Sequence, residues 1–104
     1  MSNRSYAVKL LPSARRDLLS IAVHIATDKP RTALKYLERL RLRLHSLSSH
    51  PRMGHLPKDP YLKSKGYRIL IVDAYLAFYV LQKNTVKIHR ILHGSRDIQS
   101  IVFK

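Results

Sequence analysis

The chain has 104 residues, no cysteine and 45% hydrophobic residues, which fits a single domain over residues 1–104 and argues against an intrinsically disordered chain. The lack of cysteine excludes disulfides, CxxC redox chemistry and thiolate zinc sites. No apolar run approaches the roughly 20 residues of a membrane span, and the N-terminal residues lack the apolar stretch of a signal peptide. We therefore expect a cytoplasmic protein with no membrane partner.

Charge is the strongest compositional feature, because 20 Lys and Arg residues oppose 6 Asp and Glu residues and give a formal net charge of +14. A field of this sign attracts nucleic acid, anionic membrane or an acidic protein segment, and it raises the association rate with each. The composition predicts an acidic partner without choosing among these three classes.

The first part of the chain predicts a strand and a helix. Residues 6–11 form a short apolar run that ends at Pro12, as is typical of a strand. Ser13 is a candidate N-cap for a helix that extends to about Thr27. The apolar residues of this helix recur with a period of 3.6 and should face the core: Ala14, Leu18, Ile21, Ala22 and Ile25.

A second helix is predicted to follow at once. Asp28 is its candidate N-cap, and Pro30 fits its first turn, where a missing N–H costs nothing. One apolar stripe should face the core: Ala33, Leu34, Leu37, Leu40, Leu44 and Leu47. The two helices would form an antiparallel hairpin from about residue 13 to residue 48.

The second half of the chain predicts a sheet. Residues 48–65 hold three prolines and one glycine, which favour a loop with at most one short turn of helix. Three strand-length runs follow, at residues 67–72, 75–82 and 85–92. The pairs Asp73-Ala74 and Lys83-Asn84 between them are short enough for hairpins, and residues 98–103 predict a final short helix. The expected fold is α+β, with the N-terminal strand completing a curved, mainly antiparallel four-stranded sheet on which the helix hairpin packs.

The second predicted helix carries a row of cations opposite its leucine stripe. Lys35, Arg39 and Arg43 recur at i, i+4 and i+8, where neighbouring like charges each cost a few tenths of a kcal/mol. The row is either a solvated outer face or a contact surface for an acidic partner, which would relieve this repulsion.

The last predicted strand carries a second candidate surface. Strict alternation divides it into one face with Lys87, His89, Ile91 and His93 and a core face with Val86, Ile88, Arg90 and Leu92. The first face is cationic and titratable, and Lys65 and Arg68 enter the neighbouring strand. Three tyrosines are predicted nearby: Tyr67, Tyr75 and Tyr79. The surface could hold phosphates or acidic side chains while the tyrosines stack on bases, or the tyrosines could simply pack in the sheet.

The sequence predicts no metal and no cofactor. His50 and His55 are close in sequence, but the chain has no HExxH or comparable ligand spacing, and its charge repels cations. It also lacks GxGxxG, P-loop and GxSxG motifs, so nucleotide cofactors and serine-hydrolase chemistry have no support.

Four segments resemble the RelE/ParE superfamily of bacterial toxins: Ser13-Ala14-Arg15-Arg16-Asp17-Leu18, Tyr67-Arg68-Ile69-Leu70, Tyr75-Leu76-Ala77-Phe78-Tyr79-Val80, and the ending Arg90-Ile91-Leu92-His93-Gly94-Ser95-Arg96-Asp97. The last segment resembles the family ending "vlHGrRD". The resemblance spans nearly the whole chain and implies a growth-inhibiting toxin of a type II toxin–antitoxin system, of the kind linked to plasmid stabilisation. It also implies neutralisation by a cognate acidic antitoxin in a hetero-oligomer.

The superfamily divides by target. RelE-like members cleave mRNA on the ribosome, and their pattern resembles an Arg in the middle strand, an Arg after the last strand and a Tyr in the C-terminal segment. Arg96 matches the second position, but Leu76 stands at the first and residues 98–103 contain no Tyr. ParE-like members lack this nuclease set and poison DNA gyrase.

The resemblance therefore favours a ParE-like toxin that is not itself an enzyme. One alternative is a RelE-like ribonuclease with His93, Arg96 and His89 as catalytic residues, and another is a non-toxic module that binds an antitoxin. The predicted target-binding residues are Arg68, Lys87, His89, His93 and Arg96. The predicted antitoxin-binding residues are Lys35, Arg39, Arg43 and Tyr75.

Overall fold

The computed structural model describes residues 5–95, so the predicted helix at residues 98–103 and the predicted site residue Arg96 lie outside the described residues. The described elements, in chain order, are β1 (Ala7–Leu10), α1 (Pro12–Asp28), α2 (Ala33–His45), a 3₁₀ turn (Ser46–Ser48), α3 (Pro60–Ser64), β2 (Tyr67–Val72), β3 (Tyr75–Gln82) and β4 (Thr85–His93). No helix in this part of the chain is long and apolar enough to cross a membrane.

The four strands form one sheet in the order β1-β4-β3-β2. The pairs β2–β3 and β3–β4 are antiparallel, and β1 adds to β4 in parallel. Asp73 and Lys83 adopt left-handed φ values of 54° and 58°, as the short turns between hairpin strands require. The predicted α+β fold with a mainly antiparallel four-stranded sheet is confirmed.

The helix starts differ from the prediction. Pro12 occupies the first turn of α1, where its missing N–H costs nothing. The N-cap is therefore Leu11 and not Ser13, and the leucine side chain cannot accept a hydrogen bond from the first turn. The Lys29 N–H still donates to the Ile25 carbonyl oxygen at 2.7 Å, which keeps Asp28 within α1. Pro30 lies in the connection, and α2 begins only at Ala33.

The main core lies between the helix hairpin and one face of the sheet. Leu40, Leu44 and Leu47 are buried there, against sheet residues that include Tyr79 and Ile88. The predicted leucine stripe is therefore confirmed for most of its length.

Leu34 was predicted in that stripe, but it is 82% exposed. Ala33, Leu37, Leu40 and Leu44 define the inward face at helical spacing, and Leu34 lies about 100° round the helix from Ala33. Tyr36 contributes to the core instead.

The opposite face of the sheet, which we call the open face, buries far less. Its apolar cluster contains the buried residues Leu62, Phe78 and Leu92, with Leu62 supplied by α3. Asp59 caps α3 by accepting hydrogen bonds from the Tyr61 and Leu62 backbone N–H groups at 2.9 and 3.1 Å.

Candidate functional site

A β-bulge divides β4 into two parts. Phe78 pairs with Arg90 and the next residue, Tyr79, pairs with Ile88. His89 is therefore an extra residue without a partner on β3. An extra residue reverses the side-chain alternation beyond it, so β4 does not keep one set of side chains on one face.

The bulge separates the residues that strict alternation had placed together. Lys87 and His89 remain on the open face, whereas Ile91 joins the core beneath the helices. Leu92, predicted to face that core, belongs to the open-face cluster instead. His93 contacts Tyr75, and its exposed ring lines a cleft against α1. The predicted continuous stripe from Lys87 to His93 is therefore wrong beyond His89.

His89 and Tyr67 form a pair on the open face. The Tyr67 hydroxyl and the His89 Nδ1 atom share a hydrogen bond of 3.2 Å, and the ring centres are 5.2 Å apart. Partial burial lowers the pKa of His89, and the neighbouring Lys87 charge lowers it further. Partial burial raises the pKa of Tyr67. The pair is therefore uncharged near pH 7.

A cleft of about 470 Å³ lies beside this pair, and we call it the open-face cleft. Its polar lining consists of Tyr61, Lys65, Tyr67, Gln82 and His89. The Lys65 Nζ atom lies 5.5 Å from the centre of the Tyr61 ring, within the range of a cation–π contact. The cleft thus combines positive charge with aromatic surface.

Arg68 does not reach this cleft. It pairs with Tyr79 in the register of β2 and β3, and its guanidinium donates to the carbonyl oxygens of Arg52 and Gly54 at 3.1 and 3.0 Å. The buried Tyr79 hydroxyl donates to the Pro51 carbonyl oxygen at 2.8 Å and accepts from the Gly54 N–H at 2.9 Å. Arg68 and Tyr79 together hold the loop before α3 onto the sheet.

His93 lies in a separate cleft of about 530 Å³ between α1 and β4. One wall contains Asp17, which accepts hydrogen bonds from Arg90 Nε at 2.7 Å, Arg90 Nη2 at 2.9 Å and the Ile91 N–H at 2.9 Å. The hydrogen bond with Asp17 raises the pKa of Arg90. His93 contacts Tyr75 at 5.4 Å between ring centres, and His24 of α1 lines the same cleft.

The cations of α2 are not a uniform solvated row. Lys35 is exposed, but Arg39 forms an ion pair with Asp73 in the β2–β3 turn. Arg43 donates to the Ile71 carbonyl oxygen at 3.4 Å. Two of the three cations therefore fasten α2 to the edge of the sheet. Tyr75, grouped with them by the sequence analysis, is only 8% exposed.

Of the predicted target-binding residues, Lys87 and His89 lie together on the open face. Arg68 instead holds the loop before α3, and His93 lies in the cleft between α1 and β4. Sequence reasoning missed Lys9, which is the register partner of Lys87 across β1 and β4, and Tyr61 of the open-face cleft. Alternation within β1 could have identified Lys9 as an open-face residue. Its pairing with Lys87, however, depends on how β1 pairs with β4. Among residues 5–95, no group of three or more His, Asp or Glu residues could hold a metal ion.

A helix hairpin on one face of a mainly antiparallel sheet is also the fold of two solved toxin–antitoxin proteins. One is described as a chromosomal ParDE toxin–antitoxin system from P. aeruginosa, with a TM-score of 0.71 and 21% identity over 86% of this chain and 97% of that chain. The other is the toxin–antitoxin complex RelBE2 from Mycobacterium tuberculosis, with a TM-score of 0.60 and 22% identity over 88% of this chain and 94% of that chain. These similarities identify a RelE/ParE-like fold.

The sequence model of one protein family, the ParE toxin of the type II toxin–antitoxin system parDE, matches residues 8–98. The chain therefore belongs to this family, and it is a type II toxin of the RelE/ParE superfamily. Comparison with curated protein sequences gives no match.

Proposed function

We propose that this protein is a ParE-like toxin that inhibits growth by binding and poisoning DNA gyrase, and that a cognate acidic antitoxin neutralises it. The observation that carries the proposal is the match to the ParE toxin family over residues 8–98. In this function the protein acts by contact with gyrase and is not itself an enzyme.

The surroundings of Leu76 also support a ParE-like toxin. Leu76 stands where the RelE-like pattern has an Arg, and it pairs with Leu92 and packs against the apolar cluster of the open face. A nuclease must bring a cation and a proton-transfer group within hydrogen-bond reach of one scissile linkage. An apolar residue at this position removes the cation.

Charge supports an acidic antitoxin as the partner. A partly disordered acidic segment can fold onto a surface of this protein, which carries a net charge of +14. Both similar solved structures are described as toxin–antitoxin assemblies. Within the proposed antitoxin surface, Lys35 is exposed, whereas Arg39 and Arg43 already have partners on the sheet. The resulting complex is a hetero-oligomer.

A RelE-like ribonuclease is the second candidate, and the Tyr67–His89 pair is the observation that favours it. A histidine whose pKa is lowered is neutral near pH 7 and can accept a proton from a 2′-hydroxyl. Lys87 on the same face could hold the phosphate. His93 and Arg96 remain the alternative catalytic residues of this candidate.

Two assays on the same purified protein test the proposal. Gyrase with plasmid DNA reports accumulation of cleavage complexes, and a translating extract reports codon-specific mRNA cuts. We expect cleavage complexes and no mRNA cuts, with His93→Ala reducing the effect only as far as it weakens binding.

The opposite pattern would overturn the proposal. Codon-specific cuts that fall about 100-fold or more in His89→Ala, His93→Ala or Arg96→Ala would establish the ribonuclease. Activity in neither assay, together with tight antitoxin binding, would identify a non-toxic antitoxin-binding module.

A further inference from the structure

The exposed ring of His93 is hydrogen-bonded to the turn that follows β4. The Ser95 backbone N–H donates to His93 Nδ1 at 3.1 Å, and the Ser95 hydroxyl lies 2.7 Å from the same atom. A backbone N–H can only donate, so Nδ1 is an acceptor and the neutral ring carries its proton on Nε2. The hydroxyl therefore also donates to Nδ1. The side chain of His93 thus closes the turn with two hydrogen bonds from Ser95.

This geometry is that of a turn which asparagine and aspartate commonly form. Their side-chain oxygen accepts a hydrogen bond from the backbone N–H two residues further along the chain. Nδ1 of a histidine is separated from the backbone by the same number of bonds as that oxygen, so it can accept from the Ser95 N–H in the same way. Nε2 lies on the far side of the ring and takes no part in this turn. The imidazole of His93 therefore has two edges whose roles can be separated.

Aromatic contacts and a backbone hydrogen bond hold this turn against the rest of the fold. His93 contacts Tyr75 edge to face, with ring centres 5.4 Å apart and ring planes at 85°. Tyr75 is buried and contacts Tyr36 of α2 at 6.2 Å between ring centres. The Gly94 N–H donates to the Ala74 carbonyl oxygen at 2.8 Å. The turn is therefore joined both to the β2–β3 turn and, through two tyrosines, to the helix hairpin.

We propose that His93 is a positioning residue, whose Nδ1 atom fixes the turn after β4 and thereby the direction in which the chain leaves the sheet. Arg96, a predicted target-binding residue, follows Ser95 directly in the sequence. The proposal rests on the proposed function in one respect, namely that Arg96 contacts the target. An ordered turn favours this contact, because the backbone is fixed before the target binds and less entropy is lost on binding.

The alternative role of His93 is direct contact with the target. That role would use the Nε2 edge of the ring, and in a ribonuclease it would include proton transfer at the imidazole. The hydrogen bonds favour positioning instead, because both end on Nδ1 and both come from Ser95 in the adjoining turn. The two roles therefore depend on opposite edges of one side chain.

Two substitutions separate these roles, because each keeps one edge of the imidazole. His93→Asn keeps an acceptor at the position of Nδ1 and can close the same turn. His93→Gln places its amide near the position of Nε2 and leaves the Ser95 N–H without this acceptor. His93→Ala removes both edges. Gly94→Ala is the matched control in the turn, because an added Cβ would lie 3.5 Å from its nearest neighbour, the Ala74 carbonyl oxygen, at ordinary contact distance.

Two kinds of measurement on the full-length chain test the proposal. Nitrogen NMR of the purified protein identifies which ring nitrogen of His93 carries the proton, and amide relaxation measures backbone order at Ser95 and Arg96. Growth inhibition after induction in cells measures toxicity without any assumption about the target. Thermal melting of each variant verifies that it is folded.

We expect the unchanged protein to carry the His93 proton on Nε2 and to have an ordered backbone at Ser95. His93→Gln and His93→Ala should both lower this order and raise the protein level needed for growth arrest about 10-fold, since the turn must then be ordered on binding. His93→Asn should restore the order and bring the required level to within about 3-fold of the unchanged protein. Gly94→Ala should stay within the same range.

Three results would overturn the proposal. The first is a His93 proton on Nδ1, which is incompatible with the hydrogen bond from the Ser95 N–H. The second is toxicity that His93→Gln retains and His93→Asn loses, which would assign His93 to direct contact through Nε2. The third is loss of backbone order at Ser95 in His93→Ala with unchanged toxicity, which would show that the turn does not serve the target contact.

Failure of the proposed function would give a different pattern. Growth arrest without gyrase-dependent DNA breaks would reject gyrase as the target. The ranking of His93→Asn above His93→Gln and His93→Ala would still hold if Nδ1 positions the chain for another target.

Discussion

The two faces of the sheet differ in what they bury and in what they expose. Beneath the helix hairpin, the sheet and helices bury a continuous core that includes Leu40, Tyr79 and Ile88. The open face buries only Leu62, Phe78 and Leu92 among the described residues. The same face also carries partly buried apolar residues, two lysines and the Tyr67–His89 pair. One face therefore supplies most of the stability, and the other is available for binding.

Two ion pairs join the helix hairpin to the sheet, and they differ in how exposed they are. Asp17 and Arg90 join α1 to β4 with side chains only 13% and 25% exposed, and Asp17 also accepts from the Ile91 backbone N–H. Arg39 and Asp73 join α2 to a turn with side chains 62% and 45% exposed. Water screens the second pair, so the first should contribute more to stability.

The largest expected effect comes from placing a charge beneath the helices. Leu40→Asp buries an unpaired carboxylate in the core and should cost about 4 kcal/mol or more, enough to unfold a small domain. Leu34→Asp is the matched control, because this leucine is exposed on the same helix, and it should change stability by about 0.5 kcal/mol or less. Urea unfolding followed by circular dichroism measures both. Strong destabilisation by Leu34→Asp would mean that the inward face of α2 is assigned incorrectly.

A smaller effect should separate the two ion pairs. Asp17→Asn weakens the acceptor for Arg90 and for a strand N–H, and should cost about 2 kcal/mol. Asp73→Asn removes an exposed partner and should cost about 0.5 kcal/mol. Chemical denaturation at low and high salt measures both changes. Equal costs would contradict the expected difference between the largely buried ion pair and the exposed one.

The smallest effect should appear as a pH dependence. His89 has a lowered pKa in the folded chain, so the unfolded chain binds more protons between that pKa and about 6.5. Its contribution to stability is therefore lost as the pH falls below about 6.5. His89→Gln should reduce the fall in Tm between pH 7.5 and pH 5.5.

His50→Gln, which changes an exposed histidine outside the helices, serves as the control for this pH effect. It should leave the fall in Tm close to that of the unchanged protein. A fall that is the same in all three proteins would show that His89 is not coupled to folding.

The strands could be predicted almost to the residue, because alternation and two short turns define them locally. The start of α1 was predicted two residues late, since Pro12 begins the helix and Leu11, not Ser13, is the N-cap. The bulge at His89 could not be predicted, because it depends on the pairing of β4 with β3. Strict alternation therefore misplaced His93 and Ile91.

The candidate site was less predictable than the fold for the same reason. Lys87 and His89 were identified from one strand, but Lys9 lies 78 positions away in the chain and meets Lys87 only through the parallel pairing of the two ends. Arg68 was predicted to bind the target, but its side chain donates hydrogen bonds to the carbonyl oxygens of Arg52 and Gly54. These are tertiary contacts between a strand and a distant loop. The sequence pattern of one strand or helix does not show which residues of other elements it will contact.

Induction of the toxin in growing cells, with DNA breaks and protein synthesis followed over time, tests whether DNA gyrase is the target. We expect gyrase-dependent DNA breaks at growth arrest while translation continues at first, and prevention of both arrest and breaks by co-expressed antitoxin. An immediate loss of translation, with codon-specific mRNA cuts and no DNA breaks, would contradict it.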